Sequence, residues 1–208
     1  MSPTQGAGVP RRKAMITNPE QLRKNVRRAM LKLNETKDKP PAVIEQRQID
    51  FAWCMVDWRT FDPASPLLVF QADPGSKEPS ALEQLVITLK NSSSSQVHYA
   101  CCAAIAYLAV RQDVRAALVE TGSGPLMESL DLMVRRLEAT ENPGLRYAIC
   151  AIATELCKGE AGLMRLRDIN FAQALERLRQ KKKEPRDKDA ALEMIIDHLC
   201  NELRPKIS

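Results

Sequence analysis

Residues 99–108 of the 208-residue chain read YACCAAIAYL, and residues 147–156 read YAICAIATEL. The two stretches lie 48 residues apart and match at Tyr, Ala, Cys, Ala and Leu. Both are dominated by small and apolar residues, which is typical of a helix that is buried on most of its surface. The return of such a helix at a fixed spacing predicts an architecture built from similar units.

The chain around these two helices repeats as well. A weaker copy begins 43 residues after Tyr147, and another places Trp53 50 residues before Ala103. A short helix is predicted after each full copy, followed by a residue that tolerates a left-handed backbone, Gly122 or Asn170, and then by a second helix. Each unit is therefore predicted to contain a long helix, a short helix, a sharp turn and a second long helix.

Residues 115–127, RAALVETGSGPLM, resemble the armadillo signature, in which a short first helix ends at Gly and a Pro opens the second helix. The Ala-rich stretch 99–109 resembles the third armadillo helix. The resemblance is strong over residues 95–175 and weaker over 43–91 and 184–203. It implies an all-α fold, a right-handed α-solenoid of about four armadillo-like repeats over residues 43–203, with degenerate outer repeats.

The positive charge of the chain is concentrated near its start. Residues 1–39 contain ten Lys and Arg against three Asp and Glu, a net charge of +7, whereas the rest contains 21 against 23, a net charge of −2. The sequence predicts a disordered tail over residues 1–17, a basic amphipathic helix within 18–39 that Lys39-Pro40-Pro41 ends, and a short tail over 204–208. Between these segments it also predicts a helix over about 43–58 and an amphipathic helix over 80–90 with Ser80 as its N-cap.

The basic helix has three alternative roles. It could cap the first repeat through Leu22, Val26 and Met30, contact a nucleic acid or an anionic membrane through residues 11–32, or dock in a groove of another protein. The side chains that would make an anionic contact are Arg23, Lys24, Arg27, Arg28 and Lys32.

The resemblance also implies where a partner would bind. In armadillo proteins the third helices line a concave groove, and the best-known peptide-binding members carry Trp and Asn one turn apart on them. This chain lacks the Asn ladder, so either a peptide or a folded or helical partner fits the groove. The candidate partner-binding residues are Trp53, Asp57, Tyr99, Tyr107, Arg146, Tyr147, Glu155 and His198.

The sequence gives no indication of catalysis, a cofactor, a metal or a small-molecule substrate. His98 and His198 lie far apart, the cysteines form no C-x-x-C pair, and no Gly-rich phosphate loop is present. All six cysteines lie in apolar helical patterns, which predicts reduced, buried thiols. We therefore expect a non-enzymatic adaptor or scaffold in the cytoplasm, with the nucleus as an additional location, that is neither secreted nor membrane-spanning.

Overall fold

The computed structural model of the protein describes residues 19–35, 38–56, 79–120, 125–181 and 189–204. Within these ranges the chain forms ten α-helices, one 3-10 helix and no strand, which confirms the expected all-α class for this part of the protein. The helices are α1 Pro19–Asn34, α2 Pro41–Val56, α3 Ala81–Asn91, α4 Ser95–Leu108, α5 Gln112–Val119, the 3-10 helix Pro125–Glu128, α6 Ser129–Ala139, α7 Pro143–Leu156, α8 Glu160–Asp168, α9 Phe171–Lys181 and α10 Ala190–Leu203.

Local sequence signals set several helix ends. Ser80 and Glu83 form a capping box at the start of α3, where the Ser80 Oγ accepts a hydrogen bond from the Glu83 N–H and the Ser80 N–H donates to the Glu83 carboxylate. Asn170, between α8 and α9, has a φ of 54°. Both features confirm expectations from the sequence, whereas Gly122 lies outside the described residues.

The boundary between the first two helices differs from the expected one. α1 ends at Asn34, before Lys39-Pro40-Pro41, and Pro41 is the first residue of α2. Pro suits the first helical position because the N–H it lacks would have no partner within the helix. The helix expected over residues 43–58 therefore begins two residues earlier, and residues 57 and 58 lie outside the described part.

The helices pack in three rows. α4 packs between α2 and α7, and α7 packs in turn on α10. In the second row α5 packs on α8, and in the third α3 packs on the 3-10 helix and α6 on α9. The N-terminal ends of α4 and α7 are adjacent, because the Asn142 Nδ2 donates to the Ser95 Oγ at 3.3 Å. No helix in the described ranges is both long and apolar enough to cross a bilayer.

The absence of a side chain at Gly162 allows α8 to approach the end of α7. A Cβ added at Gly162 would lie 2.2 Å from the Leu156 carbonyl oxygen, which is a backbone atom and cannot turn aside. At Gly159, the N-cap of α8, an added Cβ would meet nothing within 4 Å. The close approach of the two helices therefore depends on Gly162 and not on Gly159.

We predict that Gly162→Ala lowers the free energy of unfolding by about 1–3 kcal/mol, because the overlap with the backbone exceeds the ~1 kcal/mol gain in helix propensity. The matched control Gly159→Ala should cost less than about 1 kcal/mol. Urea denaturation of both variants measures the difference, and equal stabilities would show that the α7–α8 contact tolerates a methyl group at Gly162.

The cysteines are mostly buried, as expected. Cys101, Cys102, Cys150 and Cys200 are buried, Cys54 and Cys157 are partly buried, and none is in a disulfide. Burial raises the pKa of the Cys101 thiol to about 12 and that of Cys157 to about 11. Because the thiolate is the reactive form, both positions should be slow to react.

We predict that an aromatic disulfide reagent at neutral pH leaves the four buried cysteines unmodified in the native protein and modifies all six after denaturation. Absorbance at the wavelength of the released thiolate counts the reacted groups. Rapid native modification of more thiols than Cys54 and Cys157 would contradict the buried packing.

Candidate functional site

The described surface contains a groove along α4 and α7, which we call the aromatic groove, with a volume of about 610 Å³. Tyr99 and Tyr107 of α4 and Tyr147 of α7 form its walls. Its floor consists of small residues from the same helices: Ala103, Ala106, Gly144, Ala148 and Ala151. The volume lies within the range of ordinary ligand-binding pockets.

Helical periodicity creates this arrangement. Residues four apart share one face of a helix, so Tyr99, Ala103 and Tyr107 form a stripe on α4. Tyr147 and Ala151 occupy the equivalent positions on α7. The three tyrosines are 36%, 38% and 45% exposed, whereas Ala103 is 8% exposed, so the aromatic rings protrude above a shallow floor.

The Tyr99 ring is held in place from two sides. Its centroid lies 5.9 Å from that of Trp53 on α2, with the ring planes at 70°, which is the favoured edge-to-face geometry. On the other side a Cβ at Gly144 would come within 3.1 Å of the Tyr99 Cε2 atom. Trp53 is 37% exposed and extends the aromatic surface beyond the groove.

Two carboxylates border the groove, and both have partners. The Lys158 Nζ donates to both oxygens of Glu155 at 2.7 Å, and the Arg115 guanidinium lies 3.8 Å from Glu155. The Asp189 Oδ1 accepts hydrogen bonds from the N–H groups of Ala191 and Leu192 at the start of α10. Glu155 therefore links α7 to α5, and Asp189 caps a helix.

The structure brings together part of the candidate set from the sequence. Tyr99, Tyr107, Tyr147 and Glu155 line the groove, and Trp53 adjoins it through Tyr99. Arg146 and His198 are not among the lining residues, and Asp57 lies outside the described residues.

Arg146 has a structural partner instead. Its Nε and Nη2 atoms donate to the Thr140 carbonyl at 3.0 and 2.6 Å, at the C-terminal end of α6. His198 is an exposed residue of α10.

The basic helix keeps its charges at the surface and its apolar side against the protein. Lys24, Arg27, Arg28 and Lys32 are exposed, while the side chain of Arg23 lies outside the described ones. Val26 and Leu33 of the same helix are buried, and α1 packs on α2. These contacts occupy the apolar face that a membrane-inserting helix would need.

The candidates from the sequence did not include several residues of the groove, among them Val110, Pro143, Gly144 and Asp189. Pro143 and Gly144 form the first turn of α7, four and three residues before Tyr147. Helical periodicity could have indicated them, because residues three and four positions before Tyr147 lie on the same face of α7. No sequence signal indicates Asp189, which reaches the groove through the packing of α10 on α7.

Comparisons of the chain with protein-family models, with curated proteins and with solved structures gave no match. The described residues contain no group of three or more His, Cys, Asp or Glu side chains arranged to hold a metal ion.

His98 is a buried residue of α4. Its Nε2 atom lies 2.7 Å from the Ser92 carbonyl oxygen, to which the Arg136 Nη2 also donates at 3.4 Å. Burial lowers the pKa of His98, and the Arg136 charge lowers it further, although the Ser92 hydrogen bond acts in the opposite direction. The neutral form is therefore the one that the fold stabilises.

We predict that His98 makes unfolding easier in acid. Because its pKa is lowered in the folded protein, its contribution to stability is complete above the ordinary histidine pKa of about 6.5 and is lost as the pH falls through the folded value. The difference in unfolding free energy between the parent and His98→Gln should change by up to about 1.4 kcal/mol per pH unit below pH ~6.5. Urea titrations from neutral to mildly acidic pH measure it; a constant difference would exclude His98 as the titrating group.

Proposed function

We propose that the protein is a non-enzymatic adaptor whose armadillo-like solenoid binds a partner protein in the aromatic groove. One observation carries this proposal: three tyrosines, each at least about one-third exposed, stand around a continuous floor of Ala and Gly. Aromatic side chains are enriched in protein interfaces, and tyrosine is prominent among the residues that dominate binding energies.

The packing of equivalent helices supports the armadillo-like part of the proposal. The triplet α4, α5 and α6 is followed by the triplet α7, α8 and α9 in the same order. Each member of the first triplet packs on its counterpart in the second. Such neighbour-on-neighbour packing is what a solenoid requires, because one repeat cannot bury its apolar faces alone.

The chemistry of the groove supports binding over catalysis. Apart from the tyrosines, its ionisable lining residues are Glu155 and Asp189, and each of these already has partners. Among the described residues that line the groove there is no His, Cys, Ser or Lys, so the lining contains neither a Ser or Cys nucleophile nor a His or Lys base. The tyrosine walls instead offer apolar surface with a hydroxyl at its edge.

The alternative proposal is binding to a nucleic acid or an anionic membrane through α1. The exposed basic side chains of Lys24, Arg27, Arg28 and Lys32 support an electrostatic contact. The burial of Val26 and Leu33 supports the capping role for the same helix. A contact made by α1 to phosphates would weaken steeply as the salt concentration rises, whereas one made by the tyrosines would not.

We predict that Tyr107→Ala with Tyr147→Ala weakens partner binding by about 1–3 kcal/mol, or about 5- to 150-fold in Kd. Glu155 is left unchanged because its ion pairs join α7 to α5. The test is affinity capture on the full chain with quantitative mass spectrometry, followed by calorimetry on the proteins captured.

The matched control is Met164→Ala, which removes a side chain 56% exposed on α8, outside the groove. It should leave capture unchanged, and thermal unfolding should show that the double variant is folded. Equal capture by the parent and the folded double variant would contradict the proposal. If added salt abolishes capture, and if the double variant Arg28→Gln with Lys32→Gln also fails to capture the partner, binding to an anionic ligand through α1 is favoured instead.

A further inference from the structure

The aromatic groove offers few partners to the backbone of a ligand. Among the described residues that line it, the polar side chains are those of the three tyrosines, Glu155 and Asp189, and none is an Asn, Gln, Ser or Thr. Glu155 is held by Lys158 and Arg115, and Asp189 by two backbone N–H groups. Side-chain amides, which could both donate to and accept from a peptide unit, are therefore missing from this surface.

An extended peptide would find few hydrogen-bond partners for its backbone in the groove. Every residue of such a peptide except Pro carries an N–H and a C=O, and burying either without a partner opposes binding. In the interior of an α-helix these N–H and C=O groups hydrogen-bond to one another, so a helical ligand needs no backbone hydrogen bonds from the groove. The small number of polar side chains in the groove therefore favours a helical ligand over an extended peptide.

The shape of the groove also suits a helix. The floor between Tyr107 and Tyr147 is formed by Ala residues and Gly144, whose small size allows the close approach of another helix. Tyr99 is fixed between Trp53 and Gly144, so this wall is already ordered before a partner arrives. A ligand helix would lie on α4 and α7 much as these two helices lie on their own neighbours.

We infer that the occupant of the aromatic groove is an amphipathic α-helix of a partner protein. Its apolar side chains, one turn apart at i, i+3 or i+4 and i+7, rest on the Ala floor between the tyrosines, and its polar face stays in water. This inference rests on the proposed function, since it names the class of partner that the same groove binds.

The test uses a displayed library of random peptides of about 16 residues, long enough for roughly four helical turns. The peptides that bind the full chain are then tested on the Ala151→Gln variant, which carries a longer side chain on the groove floor. Peptides that bind this variant more weakly than the parent are retained as groove-dependent. The matched control Ala161→Gln makes the same change at an exposed position of α8 and should leave binding unchanged.

For each groove-dependent peptide, a position near the middle is found at which substitution by Ala leaves binding unchanged. The same position is then substituted by Pro. We expect Pro at that position to weaken binding roughly tenfold or more, because it breaks a helix, and we expect circular dichroism to show helix gained on binding.

Groove-dependent peptides that tolerate Pro and gain no helix would overturn this inference while leaving the proposed function standing. A selection that yields no peptide sensitive to Ala151→Gln would count against both.

Discussion

The side-by-side contact of α4 and α7 is the interaction on which the rest of the described structure depends. α4 also contacts α2 and α3, and α7 also contacts α6, α8 and α10, so most of the other helices are joined through this pair. Both helices carry small side chains in the core: Ala104 of α4 and Cys150 of α7 are fully buried. Other Ala residues of the same two helices, with Gly144, form the floor of the groove, so this pair of helices contributes to both the core and the groove.

Arginine side chains hold several helix ends within this packing. Arg47 donates to the Lys32 and Glu35 carbonyls, and Arg115 to the Ala109 and Val110 carbonyls that follow α4. Arg167 donates to three carbonyls at the end of α10. The C-terminal end of a helix has carbonyls without partners and a partial negative charge, so a guanidinium suits it in both respects. Much of the basic character of the helical body thus has a structural use.

The sequence predicted the features that local rules control. The cap at Ser80, the left-handed turn at Asn170 and the tyrosine stripe on α4 depend on residues close together in the chain. Arg146 shows what such rules leave out: helical spacing gives the face on which it lies but not the carbonyl that its guanidinium reaches. Pro41 shows a further limit, since a proline that ends one helix and one that begins the next look alike in a sequence.

The groove tyrosines differ in how much freedom the fold leaves them, and this difference bears on binding. Tyr99 has Trp53 against its ring and Gly144 beneath it, so a partner meets a wall that is already in place. Tyr147 is the most exposed of the three at 45%. A side chain that is ordered before binding loses less conformational entropy when a partner arrives. A rigid aromatic wall facing a more exposed one on the next helix can therefore fix the position of a ligand through Tyr99 and adapt to its shape through Tyr147.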